Sequence, residues 1–135
     1  MSHYTTIKTQ FMSRKHLVQA LKDMGFQRVE VHDVAQPLHN FFEMGPSKKA
    51  EIIIRRDDDH ISIADLGFKR GHDGRFEAII DESDQLFYNQ AWLQHLTQRY
   101  AYNVALDTLK EQDFELVDES VQSDQTIHLT LRRMT

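Results

Sequence analysis

Apolar residues recur along the chain at two spacings, and the changes between them predict the order of helices and strands. Helical spacing occurs in Arg14–Met24 and again in Asn89–Gln112, which is the longest such segment. Ser13 is placed to cap the first helix, and Gly25 follows it where a left-handed residue commonly ends a helix. The pattern therefore predicts one short and one long helix.

Seven shorter segments, rich in β-branched and aromatic residues, are predicted to be strands. They are Tyr4–Phe11, Phe26 with Val29–His32, Glu51–Arg56, Ile61–Arg70, Arg75–Ile80, Phe114–Val121 and Thr126–Arg132. The last of them alternates most regularly, so one of its faces is expected to contact solvent. This order predicts an α+β fold, a largely antiparallel sheet of about six to seven strands with two helices packed on one face.

Two connections between these elements carry further predictions. Asp33–Lys49 contains both prolines of the chain, so we predict a long loop there with one short turn at most. The apolar residues expected to hold this loop against the core are Leu38, Phe41, Phe42 and Met44. In Ile61–Arg70 the apolar positions change from one strand face to the other, which predicts a bulge near Ala64–Asp65 or a strand buried on both faces.

The apolar surface of the long helix widens along its length. Trp92 and Tyr100 lie on one side of the helix, whereas Tyr102 and Leu106 lie on another. One interpretation is that the helix packs against both the sheet and the first helix, and the other is that part of it contacts another chain. Arg99 is suited to an ion pair with a carboxylate or to stacking on a ring. The candidate interaction surface consists of Trp92, Arg99, Tyr100, Tyr102 and Leu106.

Length and composition limit the class of protein. The chain has 135 residues, so we expect a single domain covering residues 1–135. The formal net charge of -5 argues against an extended nucleic-acid surface. The absence of cysteine excludes disulfides, thiolate metal sites and cysteine nucleophiles. No signal-peptide pattern or long apolar segment occurs, so we expect a cytoplasmic protein without a membrane span.

Basic residues concentrate in the three strands predicted between Glu51 and Ile80. The candidate basic patch consists of Arg55, Arg56, Lys69, Arg70 and Arg75. Outward aromatic residues beside these charges, such as Phe68 or Phe76, would resemble an RNA-binding sheet surface. The alternative is that the charges protect edge strands from pairing with other chains. We therefore rank a nucleic-acid partner below a protein partner.

Acidic residues and histidines indicate little specific chemistry. Asp57–Asp59 with His60 form a predicted acidic turn, but consecutive side chains diverge and no calcium-loop spacing follows. The eight histidines form no closely spaced pair. Acid–base catalysis needs paired carboxylates, and a solvated strand end is the better interpretation of the available group. That group is Glu77, Asp81, Glu82 and Asp84. We assign no catalytic residue, no metal site and no cofactor.

Several segments, spread in order over nearly the whole chain, resemble one protein family. They are Met1–Thr9, Ala20–Phe26, Asp65–Phe68, Leu96–Ala101 and Ile127–Arg132. These segments are similar to the hypothetical chloroplast open-reading-frame thirty-five family, small proteins of plastids, cyanobacteria and related genomes. The resemblance implies a domain of unknown function in a cyanobacterial, plastid or phage setting, and it implies no chemistry. The chain departs from the family pattern in Asp33–Lys49, Asp57–His60 and the turn Gln122–Gln125.

The leading hypothesis is a non-enzymatic interaction protein, acting as an adaptor or as a homo-oligomer through the long helix and the basic strands. The second is an RNA- or small-ligand-binding module that uses the open face of the sheet. A small enzyme ranks third, because no catalytic motif is present.

Overall fold

The computed structural model of the protein describes residues 4–40, 48–56 and 62–134. Its elements, in chain order, are β1 (Tyr4–Lys8), α1 (Arg14–Asp23), β2 (Glu30–Pro37), β3 (Lys49–Ile54), β4 (Leu66–Arg70), β5 (Phe76–Asp81), a short 3-10 helix (Glu82–Asp84), α2 (Gln90–Glu111), β6 (Phe114–Val121) and β7 (Ile127–Arg133). No helix within these described ranges is long and apolar enough to cross a membrane.

The strands form two antiparallel sheets. Five of them lie in the order β1-β5-β4-β3-β2, and β6 pairs with β7 in a separate two-stranded sheet. The α+β class, the antiparallel pairing and the two helices are confirmed. The hairpin is separate because the chain reverses at Asp113, which has a left-handed φ of 64°, after α2 ends. The chain then returns along α2 instead of extending the larger sheet.

Both helices begin and end as the sequence predicts. The Ser13 hydroxyl accepts a hydrogen bond from the His16 backbone N–H at the start of α1, and Gly25 follows its end with a φ of 107°. The Asn89 side chain accepts from the Trp92 N–H at 3.0 Å and caps α2. These caps satisfy N–H groups that have no partner within the helix.

One large core lies between the five-stranded sheet and the two helices. The helices contribute Leu17, Ala20 and Leu21 from α1 and Leu93 and Leu96 from α2. The sheet contributes Ile52, Ile54, Leu66, Phe68, Phe76, Ala78 and Ile80, all of them buried. Both helices therefore pack on the same face of this sheet, as the order of elements predicts.

The opposite face of the sheet has a smaller core of Leu38, Ala50, Ile53 and Ile79. Gly67 makes this core possible, because a Cβ at that position would lie 2.8 Å from both the Ala50 Cβ and a Leu38 methyl group. Leu66, Gly67 and Phe68 are all buried, so β4 is covered on both faces. Burial on both faces, one of the two explanations for the changed apolar phase, is thus observed for β4, but β4 begins only at Leu66, and residues 62–65 lie outside it. Ala64 forms only an isolated bridge, with Asn40.

The segment predicted as the loop Asp33–Lys49 is partly regular, so that prediction is wrong in part. Asp33–Pro37 belongs to β2, whose pairing with β3 shifts register between Val31 and Gln36. A proline donates no ladder hydrogen bond, so it is found on edge strands or beside such irregularities. Both conditions hold for β2, which is an edge strand and ends at Pro37. Leu38 is buried, as expected. The other apolar residues of the loop and the acidic turn lie in residues 41–47 and 57–61, outside the described residues.

Candidate functional site

The C-terminal unit, defined as residues 97–134, comprises most of α2 and the β6–β7 hairpin and differs from the rest of the chain in its burial. The last fully buried residue in the sequence is Leu96, and no residue of the unit is buried. Its large apolar residues remain at least partly accessible, and Val117 and Val121 are 55% and 61% exposed. The unit therefore has no closed core of its own.

The hairpin lies along α2 with few side-chain contacts. The Tyr102 hydroxyl donates to a Glu119 carboxylate oxygen at 2.9 Å. Nearer the start of the helix, the Gln98 amide donates to the carbonyl of Gln125 in the hairpin turn. Gln125 has a φ of 73°, a left-handed conformation more often taken by glycine in such turns. One face of the hairpin thus meets α2, and its outer edges have no strand neighbour among the described residues.

Arg99 is held within the chain. Its Nε donates to an Asp23 carboxylate oxygen at 2.9 Å, and its guanidinium lies 4.3 Å from the centre of the Tyr102 ring. Burial alone would raise the pKa of Asp23, but hydrogen bonds from Arg99, Gln19 and Asn103 outweigh it and lower that pKa. Arg99 thus makes both the ion pair and the ring contact for which its side chain is suited. Its contact with another chain stays a prediction.

The other candidate residues of the long helix lie in two places. Trp92 packs at the edge of the large core, with its ring centre 4.9 Å from that of Tyr88. The Tyr100 hydroxyl accepts hydrogen bonds from the backbone N–H groups of Met12 and Ser13, at 3.0 and 2.9 Å. Leu106, by contrast, is half-buried and lines a groove together with Arg99 and Tyr102. Three of the five candidates therefore share one accessible surface.

This groove lies between α1 and α2 and has a volume of about 360 Å³. Within it the His16 Nε2 lies 2.7 Å from an Asp107 carboxylate oxygen, and the His16 Nδ1 lies 2.6 Å from the Ser13 hydroxyl. The hydrogen bond with His16 lowers the pKa of Asp107. Sequence inspection missed this group, because its members are adjacent only after α1 and α2 pack together.

A serine, a histidine and an aspartate in one chain of hydrogen bonds resemble a hydrolase triad. Here, however, the Ser13 hydroxyl already accepts the helix-capping bond from the His16 N–H. The backbone N–H groups of Met12 and Ser13 beside it both donate to the Tyr100 hydroxyl, so neither is available as an oxyanion donor. The arrangement therefore serves to cap α1 and to join it to α2.

The structure divides the candidate basic patch, since Lys69 and Arg70 line one depression and the other members lie elsewhere. Arg55 donates to Glu30 at 2.8 Å and to Asp65 at 2.7 Å. Arg70 lies 4.0 Å from the centre of the Phe76 ring and donates to two backbone carbonyls. Arg55 and Arg56 lie directly after β3, and the Arg56 backbone N–H donates to Asp65. Arg75 and Lys69 line two neighbouring depressions near the Gly71–Gly74 turn.

Lysines from other segments join Lys69 in the larger of these depressions. It measures about 290 Å³ and is lined by Lys48, Lys49, Lys69, Arg70 and His72, with Glu77 as the one acidic residue among the described residues that line it. Phe68 and Phe76 are both fully buried beneath the helices, so neither forms an RNA-stacking surface. The small apolar core around Leu38 covers the centre of the sheet face that was expected to be open.

The interpretation of Asp81 and Asp84 as a solvated strand end is wrong, since both are buried. Asp84 accepts hydrogen bonds from the backbone N–H groups of Ile63 and Ala64 at 2.7 and 2.9 Å. Asp81 caps the 3-10 helix through the Ser83 N–H. Asp84 therefore holds the chain that enters β4, and no capping pattern in the sequence indicates this contact.

Asp65 is a third buried carboxylate, and sequence inspection did not assign it a role. It accepts from the backbone N–H groups of His39 and Arg56 and from the Arg55 guanidinium. Its position as the single charge among apolar residues of Ala64–Phe68 was the available signal. Burial raises the pKa of Tyr4, and the negative charges of Asp65, Asp81 and Asp84 raise it further.

Three buried polar atoms near these carboxylates and Tyr4 have no protein partner in the part of the chain that the structure describes. Within the described residues, the Tyr4 hydroxyl, the Asn40 Oδ1 and the Asp81 Oδ2 have no hydrogen-bond partner. Buried polar atoms of this kind ordinarily bind ordered water. Across the same part of the chain, no group of three or more histidine or acidic residues is arranged to hold a metal ion.

Known proteins match this chain over nearly its full length. A family described as "Protein of unknown function (DUF1257)" matches residues 20–130. The chain belongs to this family. Relatives of this DUF1257 protein are named "Uncharacterized protein ycf35" in Cyanophora paradoxa, at 27% identity, and in Guillardia theta, at 30% identity. Each match covers 98% of this chain and 98% of the relative.

These matches confirm the family resemblance drawn from the sequence. The ycf35 relative from Pyropia yezoensis is 28% identical, again over 98% of both chains. No solved structure matches the chain. The DUF1257 family is one of unknown function, so the comparisons leave the activity to be argued from the molecule.

Proposed function

We propose that the DUF1257 protein is a non-enzymatic interaction protein whose C-terminal unit binds another polypeptide. The observation that carries this proposal is the absence of any buried residue in residues 97–134, all of which the structure describes. A segment of this length with regular secondary structure would normally contribute to a closed apolar core. Contact with a second chain would complete the burial that this unit lacks.

The energetics of the hairpin support the same proposal. An isolated two-stranded sheet is marginally stable in water, and independent stability requires more strands or a well-covered apolar face. The β6–β7 hairpin pairs Leu116 with Leu131 and Val121 with Ile127, and all four side chains remain partly accessible. Covering these side chains would lower the free energy by roughly 25 cal/mol for each Å² of apolar area removed from water. A partner chain is the natural source of that cover.

The non-enzymatic part of the proposal rests on how the polar groups are used. Ser13, His16 and Asp107 connect and cap helices, and Asp65 and Asp84 hold backbone N–H groups. Each of these arrangements has a structural role in the chain itself. Relatives with the ycf35 name support a plastid stroma as the compartment in which the partner is found.

A pair of matched valine variants tests the proposal. Val121→Asp places a charge on the hairpin, and Val34→Asp places one on β2, where the valine is 72% exposed. The tagged full chain is purified from its natural host, and its mass is measured by light scattering. We expect a stoichiometric second polypeptide, either another chain or a second copy, that Val121→Asp removes and Val34→Asp retains. A monomer without a companion chain, or equal behaviour of both variants, would contradict the proposal.

The alternative function, an RNA- or small-ligand-binding module on the sheet face, has one supporting observation. The depression lined by Lys48, Lys49 and Lys69 concentrates positive charge in a protein of net charge -5. Binding to RNA through these lysines would weaken steeply as salt concentration rises. A filter-binding titration with single-stranded RNA checks this. If the filter retains no RNA, or if the amount of bound RNA does not change with salt concentration, the hypothesis of an RNA-binding module is excluded.

A further inference from the structure

We infer that the free edge of β7 pairs with β7 of a second copy of this chain, in an antiparallel arrangement whose two-fold axis passes beside Thr130. The two hairpins would then form one four-stranded sheet. This inference rests on the proposed function and specifies its partner, the second copy, and its mode of contact, which is strand addition at a sheet edge.

The two edges of the hairpin differ in their suitability for pairing. β6 carries Glu115, Asp118 and Glu119, and its register shifts between Leu116 and Asp118, which distorts its outer edge. Charges and irregularities of this kind are the usual protection of an edge strand. β7 has no acidic residue, proline or glycine over Ile127–Arg133, and its two arginines, Arg132 and Arg133, lie at its end. β6 therefore carries protecting charges along its length, whereas β7 is open to another strand over Ile127–Leu131.

The hairpin geometry identifies the backbone groups that face outward. The turn closes with the Gln122 N–H donating to the Thr126 carbonyl at 2.8 Å. In an antiparallel ladder, alternate residues direct both their N–H and C=O groups to the same neighbour. His128 and Thr130 share the phase of Thr126 and therefore bond to β6. Ile127 and Leu129 consequently direct their N–H and C=O groups to the free edge.

An antiparallel pair of β7 strands can be centred on Thr130. In an antiparallel pair centred there, Thr130 lies opposite Thr130 of the second copy, and Leu129 lies opposite Leu131 of the second copy. The three central positions are uncharged, so self-pairing brings no like charges together at the axis. Arg132, nearer the end, already contacts Glu115 within its own hairpin. Antiparallel self-pairing in this register is therefore free of the charge conflict that β6 would create.

The pairing would also cover side chains that the single chain leaves accessible. Ile127, Leu129 and Leu131 alternate with exposed polar residues and are themselves only half-buried. They lie on one face of β7, and in the four-stranded sheet the two sets would form one continuous apolar row. A sheet of this size with an apolar face meets the ordinary requirement for stability that a two-stranded hairpin does not.

The absence of native cysteine allows a direct test by disulfide formation. Thr130 would occupy a non-hydrogen-bonded pair, where Cα atoms lie about 4.5 Å apart, a separation that permits a disulfide. His128→Cys is the matched control, because His128 is exposed on the same face of the same strand but lies opposite Arg132 of the second copy. Under mild oxidation of the full chain, we expect Thr130→Cys to form a disulfide-linked dimer at least tenfold faster than His128→Cys.

A second variant separates this inference from the proposed function. Leu129→Pro removes an outward N–H group, so we expect light scattering to show a monomer where the parent chain is a dimer, with unchanged folding of the five-stranded sheet. Equal cross-linking of the two cysteine variants, or a dimer that persists in Leu129→Pro, would overturn the β7 pairing. If the valine pair still distinguishes binding to a different polypeptide, the proposed function stands while this inference fails.

Discussion

At the scale of single residues, Gly67 has the most demanding position in the larger sheet. It lies in the middle strand of the five, beneath Leu38 and beside Ala50. Because no side chain is present, Leu38 can lie directly over β4 and close the second core. The glycine is needed here for close approach, since its φ is not in the left-handed region. The sequence alone showed an apolar strand containing one glycine, without the neighbour that requires it.

Gly67→Ala is therefore expected to destabilise the protein by about 1–3 kcal/mol, the usual cost of overpacking a core. The new Cβ would meet the Ala50 Cβ and a Leu38 methyl group, both at 2.8 Å. Urea unfolding followed by circular dichroism measures the change. Gly71→Ala is the control, because its Cβ would meet chiefly the end of the Glu77 side chain, which can move. Equal losses in the two variants would refute the role given to Gly67.

At the scale of elements, the two halves of α2 are packed differently. Its first half is buried against the sheet through Leu93 and Leu96, which agrees with the interpretation that the helix packs within the chain. In its second half the apolar positions move around the helix, and the structure leaves them half-buried. Sequence spacing indicated this change of face. It did not indicate that the hairpin would return along α2, because that path depends on the conformation of Asp113.

Two tyrosines of α2 allow a matched prediction about how the helices are joined. The Tyr100 hydroxyl accepts two backbone hydrogen bonds from the segment that begins α1, whereas the Tyr102 hydroxyl makes one exposed bond to Glu119. Tyr100→Phe leaves those two N–H groups without this partner, so we expect a loss of about 1–2 kcal/mol in unfolding free energy.

Tyr102→Phe is expected to cost less, about 0.5 kcal/mol, because water replaces an exposed hydrogen bond. Thermal and urea unfolding of the two variants, purified in parallel, measure the difference. A larger loss for Tyr102→Phe than for Tyr100→Phe would show that the hairpin contact contributes more than the contact between α2 and the start of α1.

At the scale of the whole molecule, ion pairs join elements that are distant in sequence. Arg55 connects β3 to β2 through Glu30, and Arg99 connects α2 to α1 through Asp23. Sequence reasoning recognised Arg99 as suited to a carboxylate but gave no partner, since Asp23 is brought to it only by helix packing. The same limit applies to the basic patch. Residues close in sequence were grouped together, and the fold places Arg55 with Glu30 and Lys69 with Lys48 and Lys49.

These ion pairs predict how stability depends on pH. The hydrogen bond from Arg55 lowers the pKa of Glu30 below its ordinary 4.5, and bonds from Arg99, Gln19 and Asn103 outweigh burial and lower that of Asp23 below 3.8. A lowered pKa in the folded state means that the folded carboxylate binds protons less readily than the unfolded one. The resulting stability is fully present above the ordinary pKa and is lost as pH falls through the lowered value.

We therefore expect the urea midpoint to fall as pH is decreased below about 4.5, with little change between about pH 5 and pH 7 from these groups. Asp23→Asn should lower stability at neutral pH and reduce the slope in acid. Asp33→Asn is the control, because the Asp33 side chain is 94% exposed. An acid slope that is identical in the parent chain and both variants would contradict the contribution assigned to Asp23.

The end of full burial at Leu96 has a consequence for how the molecule opens. The strands from β1 to β5 and α1 share two closed cores, whereas β6 and β7 share none. Segments with few buried contacts unfold locally at a lower free energy than the whole domain. We therefore expect the hairpin and the end of α2 to open as a separate unit, whose amide hydrogens exchange with solvent while the larger sheet stays closed. Any chain that covers β7 would slow this exchange first.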